Sequence, residues 1–237
     1  MRWVERDGVR WLEADLPGAT AVFSTRSAGS VKESHAPLAA ALGFFPDQVA
    51  IARQVHGADL ITHQLLLRCS FSLNNKEKAQ RKLETPEADG HVLRAPGIAG
   101  MVFVADCLPI SLAGPDGVAI LHCGWRGLAA GIVARGAEAV DATHAAIGPG
   151  IGPCCYEVGD EVLDAFAGLG DGITAGHMLD LPEVARRLLD QAGVEHEQVE
   201  SAGLCTSCEE ELFFSHRRDA GRTGRQAGLV WLEGEAA

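Results

Sequence analysis

The 237-residue chain lacks any long apolar run. No stretch approaches the roughly 18 apolar residues that a membrane-spanning helix requires. The N-terminal stretch MRWVERDGVRWLEADL carries charge throughout, so it also lacks the apolar core of a secretion leader. These absences predict a cytoplasmic protein that does not contact a membrane.

Positive charge is scarce as well, with 20 lysines and arginines against 32 aspartates and glutamates and a net charge of −12 at pH 7. Nucleic acid and anionic lipid would be repelled on average, so this balance argues against both as partners. The cysteine count is seven, an odd number. In a chain without an export leader, that usage favours reduced thiols over disulfides.

Apolar and polar residues alternate in short pieces, which predicts strands with a few helices between them. The chain has no internal repeat and no long linker, so residues 1–237 are predicted to form a single α+β domain. Two predicted strands, VRWLEADL (9–16) and ATAVFSTR (19–26), form a hairpin. A third predicted strand covers 48–63 and is interrupted near Gly57, and two apolar stretches are joined by a turn at 114–117. The last predicted strands are QVESAGL (198–204) and QAGLVWL (226–232). Predicted helices cover 36–43, 126–140, 158–167 and 182–192. A dense charge run over 74–88 is interpreted as a solvated face or loop.

The strong turn signal at 114–117 predicts the register of a hairpin. If facing residues are equidistant from the centre of this turn, His122 faces Pro109. Cys107 then lies two residues beyond that partner and on the same face, at roughly 7–8 Å between main chains. The hairpin therefore predicts that Cys107 and His122 are able to share one ion.

His56 is the candidate third ligand, because it lies beside Gly57 at the predicted strand break, where a side chain is readily re-aimed. Imidazole and thiolate suit Zn²⁺, and three protein ligands with an open fourth position are typical of a catalytic zinc site. Copper is less favoured, because the chain has no His-x-His pair and only three methionines. Spacing alone leaves open that each residue is an ordinary buried core side chain.

Six motifs together resemble the bacterial laccase-domain family, also called polyphenol oxidase or peptidoglycan editing factor. They are RQVHGADL (53–60), EADG (87–90), ADCLPI (105–110), HCGWRGLAAGIV (122–133), AIGPGIGPCCYEVG (146–159) and GLCTSCEEELFFSHRRDAGRTGRQAGLVWL (203–232). The resemblance implies two mixed β-sheets packed as a sandwich and flanked by helices. It also implies a zinc-dependent purine nucleoside phosphorylase with adenosine deaminase activity, acting on adenosine, inosine, guanosine or methylthioadenosine. By position, the zinc ligands of the family fall on His56, Cys107 and His122.

Phosphate contacts are expected from Arg126, Arg26, Gln54 and Arg218. Arg126 lies where a strand gives way to a predicted helix, whose free N–H groups and dipole favour an anion, although it could instead simply cover that helix end. Arg218 belongs to the arginine-rich stretch 215–226, which is either an anion site or a solvated loop with surface ion pairs. Asp106, next to Cys107, is a candidate proton carrier or support for the metal site.

Other assignments stay open at this point. Cys107 with His122 also fits a thiol hydrolase that edits peptidoglycan precursors, and the family name suggests a copper-dependent phenol oxidase. A noncatalytic metal-stabilised binding protein is a further class, and the oligomeric state is expected to be monomer or homodimer. The segment 64–87 matches no family motif. Four further cysteines are interpreted as mostly buried thiols: Cys154, Cys155, Cys205 and Cys208. The adjacent pair Cys154-Cys155 is awkward for a zinc site made of four thiolates.

Overall fold

Two six-stranded β-sheets contain most strands of the computed structural model, which describes residues 1–64 and 85–234. The strands are β1 (Arg2–Arg6), β2 (Val9–Leu16), β3 (Ala19–Ser24), β4 (Val49–Ala50), β5 (Leu60–His63), β6 (Gly90–Leu93), β7 (Ala99–Val104), β8 (Leu108–Gly114), β9 (Gly117–Cys123), β10 (His144–Ile147), β11 (Thr174–Ala175), β12 (Met178–Leu179), β13 (Val199–Ser201) and β14 (Gln226–Leu232). The α-helices are α1 (Ala36–Leu42), α2 (Trp125–Ala129), α3 (Ile132–Val140), α4 (Asp160–Phe166) and α5 (Leu181–Gln191).

Both large sheets are mixed. The first has the strand order β1-β2-β3-β14-β7-β4 and the second the order β13-β10-β8-β9-β6-β5, while β11 and β12 form a small two-stranded sheet. Parallel pairs occur between β4 and β7 in the first sheet, and between β5 and β6 and between β10 and β13 in the second. The predicted α+β sandwich of two mixed sheets is therefore confirmed.

Alternating side chains on the strands build the layers of the fold. In β9, Val118 and Ile120 belong to the core between the two sheets, whereas Leu121 packs with residues of α3 and α5. In β14, Val230 belongs to the core between the sheets and Leu229 to the core beneath α1. Because successive strand side chains point to opposite faces, these strands are apolar on both faces, and the layers run helix, sheet, sheet, helices.

Local signals predicted the early elements correctly. Strands β2 and β3 pair antiparallel, with Leu16 opposite Ala19 across the Pro17-Gly18 turn. Helix α1 ends at Gly43, whose φ of 84° is the left-handed conformation that favours glycine. These boundaries follow from residues that are adjacent in sequence.

The helix predicted over 126–140 is wrong as a single element. Gly131, with a left-handed φ of 84°, separates α2 from α3. Helix α2 contains only five residues, so its dipole is a weaker anion site than a long helix would provide. The interruption expected near Gly57 is also wider than predicted, because β4 ends at Ala50 and β5 begins at Leu60.

Most of the charge run over 74–88 lies outside the described residues, so its interpretation as a solvated face stays a prediction. Within residues 1–64 and 85–234, none of the helices has both the length and the apolar character needed to cross a bilayer.

The close contact between the two sheets can be tested at Gly228 of β14. A Cβ added to this glycine would lie 2.4 Å from Pro109 Cβ and 3.3 Å from Ile120 Cδ1, both in the opposite sheet. We expect Gly228→Ala to lower the free energy of unfolding by about 1–3 kcal/mol, because the sheets must move apart. In the control Gly168→Ala the new Cβ meets nothing within 4 Å, and the change should stay below about 0.5 kcal/mol. Urea unfolding measures both, and equal stabilities would contradict the packing described.

Candidate metal centre

Three side chains of types that can bind a metal meet where the chain passes between the two sheets. Residues 105–107 connect β7 of the first sheet to β8 of the second, and residues 51–59 connect β4 of the first sheet to β5 of the second. Cys107 lies on the first connection, His56 lies on the second, and His122 is the penultimate residue of β9. One ligand atom of each side chain lies within 4.8 Å of the others. The structure thus brings together the three residues that the sequence analysis selected.

The hairpin of β8 and β9 has the predicted register. Pro109 is paired with His122, and Gly114 is paired with Gly117 at the turn. Gly124, the residue that follows β9, leaves room for the ligands, because a Cβ added there would lie 2.9 Å from Cys107 Sγ and 3.3 Å from His56 Cδ2. A side chain at Gly124 would therefore enter the space between the ligands.

Asp89, which precedes β6, organises the trio, and the sequence analysis assigns it no role. Its carboxylate is fully buried and accepts hydrogen bonds from the backbone N–H groups of Val55 (3.1 Å), His56 (2.9 Å) and Gly57 (2.7 Å). The same carboxylate lies 2.8 Å from Nδ1 of His122. His56 itself has a positive φ of 62°, which the three backbone bonds help to hold. The motif EADG marked this position, but nothing in its spacing pointed to the groups that Asp89 binds.

The charges of these side chains are strongly coupled. Burial raises the pKa of the Cys107 thiol, but the charge of His122 and hydrogen bonds with His122 and His56 outweigh burial and lower it. Burial lowers the pKa of His122, but the charge of Cys107 and the hydrogen bond with Asp89 raise it overall. For Asp89, hydrogen bonds from His122 and from the N–H groups of Gly57 and Val55 outweigh burial and lower the pKa. Without a metal, the site therefore favours a thiolate beside an imidazolium. The thiolate is already the form that binds a cation, and the imidazolium would release a proton when a cation binds.

A cavity of about 600 Å³ opens onto these ligands. Aromatic and aliphatic side chains form part of its wall, and several cations lie around it. The lining residues include Tyr156, Trp125, Arg126, Arg217, Lys32 and Arg225. Arg126 stacks over the ring of Trp125 at 4.4 Å, and Arg217 stacks over the ring of Tyr156 at 5.4 Å, measured from the guanidinium carbon to the ring centroid. The cavity is thus apolar in part and cationic in part, in a chain whose net charge is −12.

Arg126, Gln54 and Asp106 line this cavity, but only the arginine keeps its polar atoms available. Arg126 is exposed, and among the described residues its guanidinium makes no hydrogen bond. Both polar atoms of the Gln54 amide bind the backbone of Phe103, at 2.8 and 2.9 Å. Asp106 accepts one hydrogen bond from the Thr206 hydroxyl (2.7 Å) and one from the Arg217 N–H (2.6 Å). Gln54 and Asp106 therefore hold the wall of the cavity.

Arg218 and Arg26, which were expected at phosphate, do not line the cavity. The Arg218 guanidinium binds the carboxylate of Asp219 and the carbonyl oxygens of Thr206 and Phe213. Arg26 donates to the Glu210 carbonyl oxygen and stacks on an aromatic ring. The cations that do line the cavity include Arg217 and Arg225 of the same arginine-rich stretch, together with Lys32 and Arg53. Sequence alone offered no means of choosing among these arginines.

Cys154, Cys155, Cys205 and Cys208 were expected to be mostly buried, and this expectation is wrong for two of them. Cys154 and Cys208 are exposed, and Cys155 and Cys205 are only partly buried. Their Sγ atoms all lie within 4.8 Å of one another, away from the His56, Cys107 and His122 trio.

Comparison with known proteins gives a consistent result. The family model described as multi-copper polyphenol oxidoreductase laccase matches residues 21–233. The purine nucleoside phosphorylase YlmD of Geobacillus stearothermophilus is 32% identical to this chain over an alignment that covers 93% of this chain and 93% of that relative. The purine nucleoside phosphorylase YfiH of Escherichia coli K12 is 35% identical over an alignment that covers 85% of this chain and 81% of that relative.

The crystal structure of YlmD from Geobacillus stearothermophilus is similar with a TM-score of 0.80 and 30% identity, covering 98% of this chain and 99% of that one. The family match, the curated relatives and the shared fold therefore agree. This chain belongs to the laccase-like family described as multi-copper polyphenol oxidoreductase laccase.

Proposed function

We propose that the chain is a zinc-dependent purine nucleoside phosphorylase that works as one catalytic domain over residues 1–237. A purine nucleoside and phosphate would be converted to free base and ribose 1-phosphate. The observation that carries the proposal is the convergence of a His-Cys-His ligand set and several cations on one cavity of about 600 Å³. The names of the YlmD and YfiH relatives support the same reaction.

The metal would be held by His56, Cys107 and His122. Their two imidazoles and one thiolate fit Zn²⁺, and three protein ligands leave a coordination position for a reactant. The Asp89 carboxylate is hydrogen-bonded to Nδ1 of His122, which leaves Nε2 as the atom that would bind the metal. Such carboxylate contacts orient metal-binding histidines. Zn²⁺ held there would supply a Lewis acid and a means of activating water. Copper, the metal in the family's description, is the alternative occupant that metal analysis would identify.

The chain's own residues would bind and orient the two reactants. Tyr156 and Trp125 offer aromatic faces for a purine, while Arg126 and Arg217 bring positive charge to the phosphate. A phosphate oxygen would form a bond to C1′ of the ribose as the bond from C1′ to the purine nitrogen breaks. The bonding electron pair would leave with the purine, which takes up a proton. Binding both reactants in one cavity supplies the orientation that the bimolecular step requires.

Asp106 would act by position. Its two carboxylate oxygens already accept hydrogen bonds from Thr206 and Arg217, so it would anchor the cation-bearing loop beside Cys107. Tyr156 would stay protonated at neutral pH, because burial and the charge of Cys107 raise its pKa to about 12. Its hydroxyl would therefore serve the purine as a hydrogen-bond donor.

Adenosine deaminase activity is the second part of the proposal. It requires an activated water that attacks C6 of adenosine and releases ammonia, which is chemistry that a zinc ion supplies. The same cavity would serve both reactions, since both substrates contain a purine. The thiol ligand and the cysteine usage suit a reducing compartment, so we propose that both reactions take place in the cytoplasm.

One observation favours a second candidate function, a thiol hydrolase acting on peptidoglycan precursors. In such an enzyme Cys107 would be the nucleophile and His122 the base beside it. Asp89 would orient the base, since its carboxylate lies 2.8 Å from His122 Nδ1. Such an enzyme would work without metal. Metal content and phosphate dependence separate the two candidates.

The direct test incubates the purified protein with adenosine or inosine, with and without phosphate. We expect phosphate-dependent release of free base together with ribose 1-phosphate, and formation of inosine from adenosine, both lost after chelation and restored by Zn²⁺. Chromatography of the products measures all three. Base release that needs no phosphate, or full activity in metal-free protein, would contradict the phosphorylase proposal.

Metal affinity should depend on Asp89. We expect Asp89→Asn to weaken zinc binding at this centre by about 10–100-fold, because the amide is a poorer acceptor for His122 and for the backbone N–H groups around His56. The matched control is Asp59→Asn, since the Asp59 side chain is exposed and pairs with Arg135 on the surface. Competition with a fluorescent chelator measures both affinities. Unchanged affinity in Asp89→Asn would remove Asp89 from the support of the metal.

Phosphate use should depend on Arg126. We expect Arg126→Ala to reduce kcat/KM for phosphate by about 10–100-fold, because one charge-assisted contact is lost. Arg135→Ala is the control, because Arg135 is an exposed arginine that binds Asp59 outside the cavity. Initial rates at varied phosphate give both values. Equal effects in the two variants would assign Arg126 no part in phosphate binding.

A further inference from the structure

The second group of ligand atoms is the thiol cluster, formed by Cys154, Cys155, Cys205 and Cys208. The first two cysteines lie on the connection from β10 to α4, and the other two on the connection from β13 to β14. Cys208 Sγ lies 3.4 Å from Cys154 Sγ and 3.5 Å from Cys155 Sγ. Two loops that are about fifty residues apart in sequence thus present four sulfur atoms to one point.

These distances fit a tetrahedral metal site. With a Zn–S bond of about 2.3 Å, the edge of a regular ZnS₄ tetrahedron is about 3.8 Å. The observed contacts of 3.4 and 3.5 Å, and the upper limit of 4.8 Å for the whole set, bracket this edge. The adjacent pair Cys154-Cys155 therefore does not prevent convergence, because both sulfur atoms reach Cys208. The two residues between Cys205 and Cys208 also give the spacing of many structural zinc sites.

The backbone around Cys205 is arranged to stabilise a thiolate. The N–H of Gly152 donates to Cys205 Sγ at 3.3 Å. N–H donors directed at sulfur favour the charged form, which is the form that binds metals.

Nearby contacts fix the loop that carries Cys205 and Cys208. The Arg218 guanidinium donates to the carbonyl oxygens of Thr206 and Ser207, the two residues between these cysteines. The Thr206 hydroxyl donates to Asp106 in the wall of the cavity. A positive charge and a buried hydrogen bond thus hold this loop in the position that gathers the four thiols.

We propose that the thiol cluster binds one Zn²⁺ through four thiolates as a closed structural site, separate from the centre of His56, Cys107 and His122. The ion takes the place of the thiol protons, which pass to solvent, and no redox change is involved. With all four positions filled by sulfur, the site has no place for a substrate. Its effect is to clamp the two loops together beside Tyr156 and Thr206, which both support the cavity.

Zinc stoichiometry tests the proposal on the full chain. The protein is purified under reducing conditions, loaded with Zn²⁺ and desalted. It should then contain two zinc ions per chain, as measured by inductively coupled plasma mass spectrometry. The double variant Cys205→Ser/Cys208→Ser should contain one, and Cys107→Ser should also contain one because it loses only the other site. In Cys107→Ser, Zn²⁺ should still raise the Tm, and adding the two serine substitutions should remove that rise.

A second measurement uses the wild-type chain and does not depend on whether a variant folds. Cys154 and Cys208 are exposed, so without a bound ion both are accessible to iodoacetamide. We expect at least a tenfold slower modification of both with zinc present than after chelation, as located by peptide mass spectrometry.

Three outcomes would overturn the structural zinc site. They are two zinc ions retained in Cys205→Ser/Cys208→Ser, equal alkylation with and without Zn²⁺, or a disulfide among these cysteines in the zinc-loaded, reduced protein. Failure of the nucleoside assays would leave this proposal intact, because the Cys107→Ser variant reports on the thiol cluster alone.

Discussion

The buried carboxylate of Asp89 is the interaction on which the rest of the centre depends. A carboxylate without exposure to water must be matched by donors, and four are present: three consecutive backbone N–H groups around His56 and the imidazole of His122. One side chain thereby fixes the loop that carries the first ligand and the ring orientation of another. Asp89 directly precedes β6, and β6 pairs with β9, which carries His122. The carboxylate and one of the residues that it binds are therefore attached to the same sheet.

The reactive residues lie at crossings between the sheets because side chains within the sheets are committed to packing. Strand residues on both faces of β9 are buried apolar groups, which leaves the strand ends and connections to present polar atoms. His56 and Asp106 have positive φ values of 62° and 88°, conformations that the surrounding hydrogen bonds must maintain. Backbone contacts thus fix the shape of the loops 51–59 and 105–107, and with it the distance between His56 and Cys107.

Asp106 connects the proposed catalytic centre to the thiol cluster. Its carboxylate binds Thr206, which lies between two cysteines of the cluster, and the N–H of Arg217, whose side chain lines the cavity. The loop that carries Cys205 and Cys208 is therefore connected through Asp106, by direct hydrogen bonds, to the backbone of Arg217 in the cavity wall. This arrangement gives a physical reason for the proposed structural ion: the arginine-bearing loop beside the proposed catalytic centre has little regular secondary structure of its own.

Elements whose causes are local could be predicted from the residues themselves. The Pro17-Gly18 hairpin, the end of α1 at Gly43 and the register that pairs Pro109 with His122 all follow from turn residues and alternation. His56, which no hairpin geometry could select, was proposed from its place beside Gly57 at the predicted strand break, and the resemblance to a known family pointed to the same residue.

The polar groups that each side chain meets are known only from the packed fold. Asp89 finds its donors 32 to 34 residues away, Asp106 meets Thr206 at a separation of 100 residues, and Cys154 meets Cys208 at a separation of 54. The guanidinium of Arg218, expected at phosphate, is instead engaged by carbonyl oxygens of its own loop. Such partners depend on how distant loops pack, and the period of a strand or the chemistry of a turn carries no information about that packing.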